Sequence, residues 1–177
     1  MTNSTDIASW IAEEEIIRSN HVKSSNSDLG SSRDTFGMSG IETLQAVIAG
    51  ELPHSPMSQT LDFMLISVGD GIVTFQGTPG FKHLNPMGTV HGGWFATLLD
   101  SALGCAVWTK LPAGSIYTTA ELSVNLVRAI TPKVSRVRAI GQVIHCGRRM
   151  ATAEAKLIGA DGTLYAHATT TCLVLNQ

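Results

Sequence analysis

The spacing of apolar residues changes period several times along the chain, and each change marks an element. Around residues 4–18, Ile7, Trp10, Ile11 and Ile17 fall near helical spacing, and Ser4, Thr5 or Asp6 can cap the start. Residues 19–37 are rich in Ser, Asn, Asp and Gly and read as a flexible linker or a loop with little core of its own. A second helix follows, with Ser39 and Glu42 at capping-box spacing, Ile41, Leu44, Val47 and Ile48 as its apolar stripe, and Gly50 to end it. Pro53 and Pro56 then predict no regular structure until about Ser58. Two strands, 61–68 and 72–78, flank an Asp70-Gly71 turn.

The next segment, about Val90 to Thr109, is apolar on nearly every face: Trp94, Phe95, Leu98, Leu99, Leu103, Val107 and Trp108 leave almost no polar side. A helix of this kind must be surrounded. Beyond it, residues 121–128, 136–144, 151–158 and 164–175 read as strands joined by short turns, which makes an antiparallel meander. The expected class is α+β, a curved antiparallel sheet wrapped around one long central helix, with extra N-terminal helices. That is the hotdog arrangement. The expected division is residues 1–38 as N-terminal helix and flexible linker, and 39–177 as the hotdog domain.

Composition narrows the function. With 44% hydrophobic residues in 177 the chain can build a core without a metal or disulfide staple. A net charge of -2 argues against a nucleic-acid-binding surface. Cys105, Cys146 and Cys172 are far apart, lack zinc-ligand spacing and suit reduced thiols. No metal site, no signal peptide and no membrane span is read, so the expected location is cytoplasmic. Three glutamates, Glu13 to Glu15, disfavour docking of the first helix on an anionic membrane, and packing on the body or on a partner subunit is expected instead.

One ionisable side chain interrupts the central helix, Asp100. A carboxylate among Leu, Ala and Trp is costly to desolvate. It is either a local cap or ion pair, a group left wet at a subunit interface, or a catalytic base with a raised pKa. Upstream lies HLNPMGTVHGG, residues 83–93. Gly92 and Gly93 at the helix entrance let a substrate approach exposed N–H groups at the positive end of the helix dipole, where an oxyanion is stabilised. A tight turn is the plainer alternative, and Asn85 and His91 taken singly fit the task of bracing a loop.

Together these residues resemble the PaaI-like family of hotdog acyl-CoA thioesterases. The resemblance rests on Asn85, Gly88, His91-Gly92-Gly93, Asp100 and the small residues Ala102, Gly104 and Ala106. It extends through TTAELSVNLVRAITP (118–132) and GRRMATAEAKLIGADGTLYAHATTTCLVL (147–175), about two-thirds of the chain. It implies hydrolysis of an acyl-coenzyme A thioester without a cofactor, in a homodimer or homotetramer whose active sites are shared between two chains. Asn85 would orient the thioester or the water, the Gly92 N–H would polarise the carbonyl, and His91 would support the loop. Asp100, supplied by the opposite subunit, would be base or nucleophile. Some relatives add a serine or threonine after the helix, and Thr118, Thr119, Glu121 and Ser123 all compete for that place here. Gly93, Thr119 and Glu121 are expected near the substrate, and Arg148 and Arg149 near the phosphates of coenzyme A. Trp94, Phe95 and Met57 are the expected neighbourhood of the acyl pocket, with core packing as the alternative. A non-catalytic acyl-CoA-binding hotdog module is the rival from another class. A hotdog dehydratase or hydratase would need a catalytic histidine near Asp100, which the helix does not provide.

Overall fold

The computed structural model describes residues 4–23 and 37–176. Most of the expected linker therefore lies outside the described residues. The order of elements is α1 (Ser4–Lys23), α2 (Gly40–Ala49), α3 (Pro56–Thr60), β1 (Phe63–Gly69), β2 (Ile72–Gly77), a 3-10 turn at Phe81–His83, α4 (Gly92–Trp108), β3 (Ser115–Leu126), β4 (Val137–Cys146), β5 (Met150–Gly159) and β6 (Leu164–Asn176). The six strands form one antiparallel sheet in the order β1-β2-β4-β5-β6-β3. It is the hotdog fold.

The sheet curls around α4 because its concave face is made of small residues. Ala139, Gly141, Ala151, Ala153, Ala155, Ala166 and Ala168 are all buried there, while Leu98, Leu99, Ala102, Leu103, Ala106 and Val107 of α4 are fully enclosed. At Gly141 a side chain would collide with the α4 backbone at Ala102, so strand and helix touch main chain to main chain.

Three expectations need correction. Pro56 does not break structure: it opens α3, in the first helical turn, where its missing N–H costs nothing, and Ser55 caps the helix. The first helix runs on past residue 18 to Lys23. The strand expected from Glu121 begins six residues earlier, at Ser115. Its first half turns Ser115, Tyr117 and Thr119 toward α4, and two of those are small and polar, so the hydrophobic alternation is hidden. The α2 capping box is as expected, with the Ser39 and Glu42 side chains each accepting from the other's backbone N–H and Gly50 left-handed at φ 80°.

Helix α1 packs on the body, but through a polar seam more than an apolar stripe. Glu14 is buried and accepts from Arg136 Nε at 2.6 Å and Gln76 Nε2 at 2.7 Å, with Arg18 one turn along the helix at 2.7 Å. Arg138 donates to Gln76 Oε1 at 2.8 Å and stands over the Trp10 ring. Ile17 completes the contact against Ile48 of α2 and Met64 and Ile66 of β1. Burial alone would raise the Glu14 carboxyl, but the hydrogen bonds from Arg136, Gln76 and Arg18 outweigh it and hold it below the ordinary carboxylate range.

Candidate active site

The stretch 83–91 is a braced loop that delivers the chain to the start of α4. Asn85 N donates to Thr89 O at 2.8 Å and His91 N to His83 O at 2.8 Å, with Gly88 left-handed at the tip. The Asn85 side chain is part of the brace. Its Oδ1 accepts from Met87 N at 2.9 Å and Thr89 N at 3.3 Å, and its amide donates to Thr89 Oγ1 at 2.9 Å. His91 is the N-cap of α4, and its Nδ1 accepts the Gly93 N–H at 2.9 Å. That leaves the proton of the neutral ring on Nε2, on an exposed side chain. The Gly93 N–H is thus taken up by the cap. The Gly92 N–H, at the first helical position, has no intrahelical acceptor by geometry and is half-exposed.

Asp100 lies two turns further along α4 and is half-buried. Its Oδ1 accepts a 3.0 Å hydrogen bond from Thr119 Oγ1. Of the four residues competing for that place, Thr118, Glu121 and Ser123 are exposed and only Thr119 turns inward. A β-bulge decides this. Pairing with β6 slips between Thr119 and Glu121, so Thr119 faces the helix although Leu122 and Val124 beyond the bulge do so too. Glu121 instead contributes its carbonyl, which accepts from Thr170 Oγ1 at 2.7 Å.

Asp100 borders a cavity of about 770 Å³, partly open to solvent, between α2, residues 52–58, α4 and the first residues of β3, with Leu65 and Phe75 on its inner side. This corrects the expected acyl neighbourhood. Trp94 and Phe95 are buried in the core, with the Trp94 indole N–H donating to Leu61 O at 2.8 Å, and Met57 points to solvent. Cys105 and Tyr117 also border the cavity, and desolvation pushes the thiol up to about 12 and the phenol well above its ordinary value. Neither competes with Asp100 as an anionic nucleophile near neutral pH. Arg148 and Arg149 are exposed on the β4–β5 turn, where Arg149 O accepts from Val174 N at 3.0 Å. The register through Met150, Leu173 and Thr118 puts that turn at the same end of the sheet as the start of β3. Among the described residues no cluster of three His, Cys, Asp or Glu is placed to hold a metal ion.

The family model of the Thioesterase superfamily matches residues 87–166, from the tip of the braced loop to the middle of β6. The solved structures similar to this chain include three that align over nearly their own full length. PaaI, a phenylacetic acid degradation protein of Thermus thermophilus, is 26% identical, covers 67% of this chain and 98% of its own, and has a TM-score of 0.61. Over residues 87–166 this chain thus resembles thioesterases of the PaaI kind. A phenylacetic acid degradation-related protein of Ralstonia eutropha is also 26% identical, covering 73% and 98% at a TM-score of 0.67. A conserved protein of Pseudomonas aeruginosa is 28% identical, covering 69% and 95% at 0.65. In all three, a quarter or more of this chain has no counterpart. Among the described residues, no helix is long and apolar enough to cross a membrane.

Proposed function

We propose that this thioesterase-superfamily chain hydrolyses acyl-coenzyme A thioesters in a site built from two subunits. The observation that carries the reading is the separation of two groups on one helix. Gly92 and Asp100 are eight positions apart on α4, which at 1.5 Å per residue is about 12 Å. One thioester carbonyl cannot touch both in the same chain. If a second copy pairs along the free edge of β3, the last strand of the sheet order, Asp100 of one subunit can face the braced loop of the other.

In that arrangement the Gly92 N–H and the positive end of α4 bind the carbonyl oxygen as negative charge develops on it. Asn85 offers its second amide proton to the thioester or the water, and His91 Nε2–H lies on the same rim. Asp100 removes a proton from the attacking water, or attacks the carbonyl itself and is released by water as a transient anhydride. The products are the free acid and the thiol of coenzyme A, whose thiolate leaves without strong acid assistance. Thr119 holds the Asp100 carboxylate in place. Arg148 and Arg149 are the cations closest in the sheet to the start of β3 and are assigned to the phosphates.

The test is complementation between two inactive variants. Asp100→Asn removes the base. Gly92→Pro removes the N–H at a position where proline suits a helix, after a residue already in the extended region at ψ 136°, and its added Cβ meets the far end of the Leu126 side chain at 3.0 Å. Each variant alone should be inactive in a thiol-release assay over a panel of acyl-CoAs. Co-expressed, they should recover about a quarter of the wild-type rate, because half the dimers are mixed and each holds one intact site. No recovery in a verified mixed dimer overturns the shared site. Wild-type protein inert toward every thioester overturns the hydrolase reading.

A further inference from the structure

The cavity beside Asp100 has a chemistry of its own. Apolar walls come from Leu44 and Val47 of α2, Leu52, Leu65, Phe75 and Trp108. Three polar side chains on the side of α2 and residues 52–58, those of Thr43, Ser55 and Ser58, have partners within the protein. Thr43 Oγ1 donates to Ser39 O at 2.9 Å, Ser58 Oγ to Ser55 O at 2.8 Å, and Ser55 Oγ accepts the Ser58 N–H at 3.3 Å. Tyr117 is hydrogen-bonded to Cys105. An occupant carrying a charge or several hydroxyls would have to break these bonds, whereas a hydrocarbon breaks none.

Size discriminates further. The volume is about 770 Å³. A group the size of water or a methylene takes about 30 Å³, so an arylacetyl group of roughly nine heavy atoms fills about a third of it. On the same measure a chain of roughly 14 to 18 carbons fills more than half.

The outer wall is α2, and α2 is fixed at both ends. At its start Gly40 N donates to Leu111 O at 3.1 Å, and Gly40 sits so tightly on the Trp108 backbone that no side chain fits. At its end Gly50 is pressed against Asn20 of α1, and Ile48 packs on Ile17, which the Glu14 seam anchors to the sheet. A wall held at both ends in this way resists swinging out to admit a longer occupant.

Resting on the thioester-hydrolase reading above, we infer that this cavity takes a long, unbranched, apolar acyl chain, and that α2, braced by α1, sets the length limit. The site thereby differs from one shaped for a compact aryl acid. Each methylene moved from water into such a cavity favours binding by about fourfold, so kcat/KM should climb with chain length by up to that factor per carbon until the chain meets the α2 wall.

The experiment is a chain-length series from butyryl- to stearoyl-CoA, with phenylacetyl-CoA alongside, on the full chain and on Val47→Phe. Val47 lines the cavity from α2, and phenylalanine there occupies the room of roughly two to four methylenes. We expect an optimum at 12 carbons or longer and phenylacetyl-CoA slower by at least tenfold. In Val47→Phe the optimum should shorten by roughly two to four carbons. Val47→Met, a more adaptable filler, gives the same comparison should Val47→Phe not fold. A preference for phenylacetyl- or butyryl-CoA, or an unchanged optimum in a folded variant, overturns the inference. If no thioester is hydrolysed at all, the hydrolase reading falls, and binding of the inert thioether S-hexadecyl-CoA decides this one. Binding at least tenfold tighter than S-phenethyl-CoA, weakened by Val47→Phe, upholds the long-chain cavity, and equal binding overturns it.

Discussion

The Thr119 hydroxyl donates to Asp100 Oδ1 at 3.0 Å, tying the edge strand β3 to the middle of the central helix. The bond fixes one carboxylate oxygen of a residue that also borders the cavity.

Asp100→Asn keeps that bond, since the amide oxygen still accepts from Thr119, but removes the charge and the basicity. Turnover should fall by at least about 100-fold, the scale of general-base catalysis, with KM little changed. The thermal midpoint should hold or rise, because an amide among apolar neighbours is less costly than a carboxylate. A destabilised variant with normal turnover would make Asp100 a structural residue.

Thr119 acts through Asp100 and is a positioning residue. Thr119→Val has the same shape without the donor and should lower kcat by about 10- to 100-fold, the worth of a hydrogen bond to a charged group, at unchanged KM. Thr119→Ser should restore most of the rate. If the hydroxyl serves only packing, valine and serine will differ in melting temperature and not in kcat.

The Glu14 seam makes the docking of α1 sensitive to acid. Its folded carboxyl titrates below the unfolded value, so the stabilisation is fully present above the ordinary glutamate range and is lost as pH falls through the depressed pKa. The protection factors of the α1 amides, measured against the intrinsic rate at each pH, should therefore be high at pH 7 and fall below about pH 4. In Glu14→Gln the protection should be low at both pH values. Protection in the variant equal to wild type would leave Ile17 and its apolar neighbours as the sole anchor.

Gly141→Ala should be one of the most damaging single methyl additions to the chain. The new carbon meets the Ala102 backbone of α4, which cannot rotate away as a side chain can. Overpacking of this kind costs about 1–3 kcal/mol, and helix against strand puts it at the upper end. Chemical denaturation of wild type and variant measures it, and a loss below about 0.5 kcal/mol would show that the helix can shift.

Much of this architecture was legible in the sequence because it follows from local periodicity and composition. The uninterrupted apolar run around Leu98 to Val107 can only be a surrounded helix, and the alternating strands behind it can only be its wrapping. Asp100 stood out as the single ionisable side chain in that helix, and the glycines after His91 marked an exposed helix entrance. Fold class, central helix, loop and carboxylate were thus set by the sequence alone. What it left open depended on register and on contacts distant in the chain. Counting in steps of two back from Leu122 puts Thr119 on the outer face, and only the bulge at Ala120 turns it toward Asp100. The cavity wall comes from α2, more than 50 residues before Asp100 in the chain, and the α1 anchor pairs Glu14 with Arg136 across 122 residues. Periodicity reports which face of an element is apolar. Which distant element covers that face is fixed only when the chain has packed, and that choice placed the partner of Asp100 and the shape of the cavity beside it.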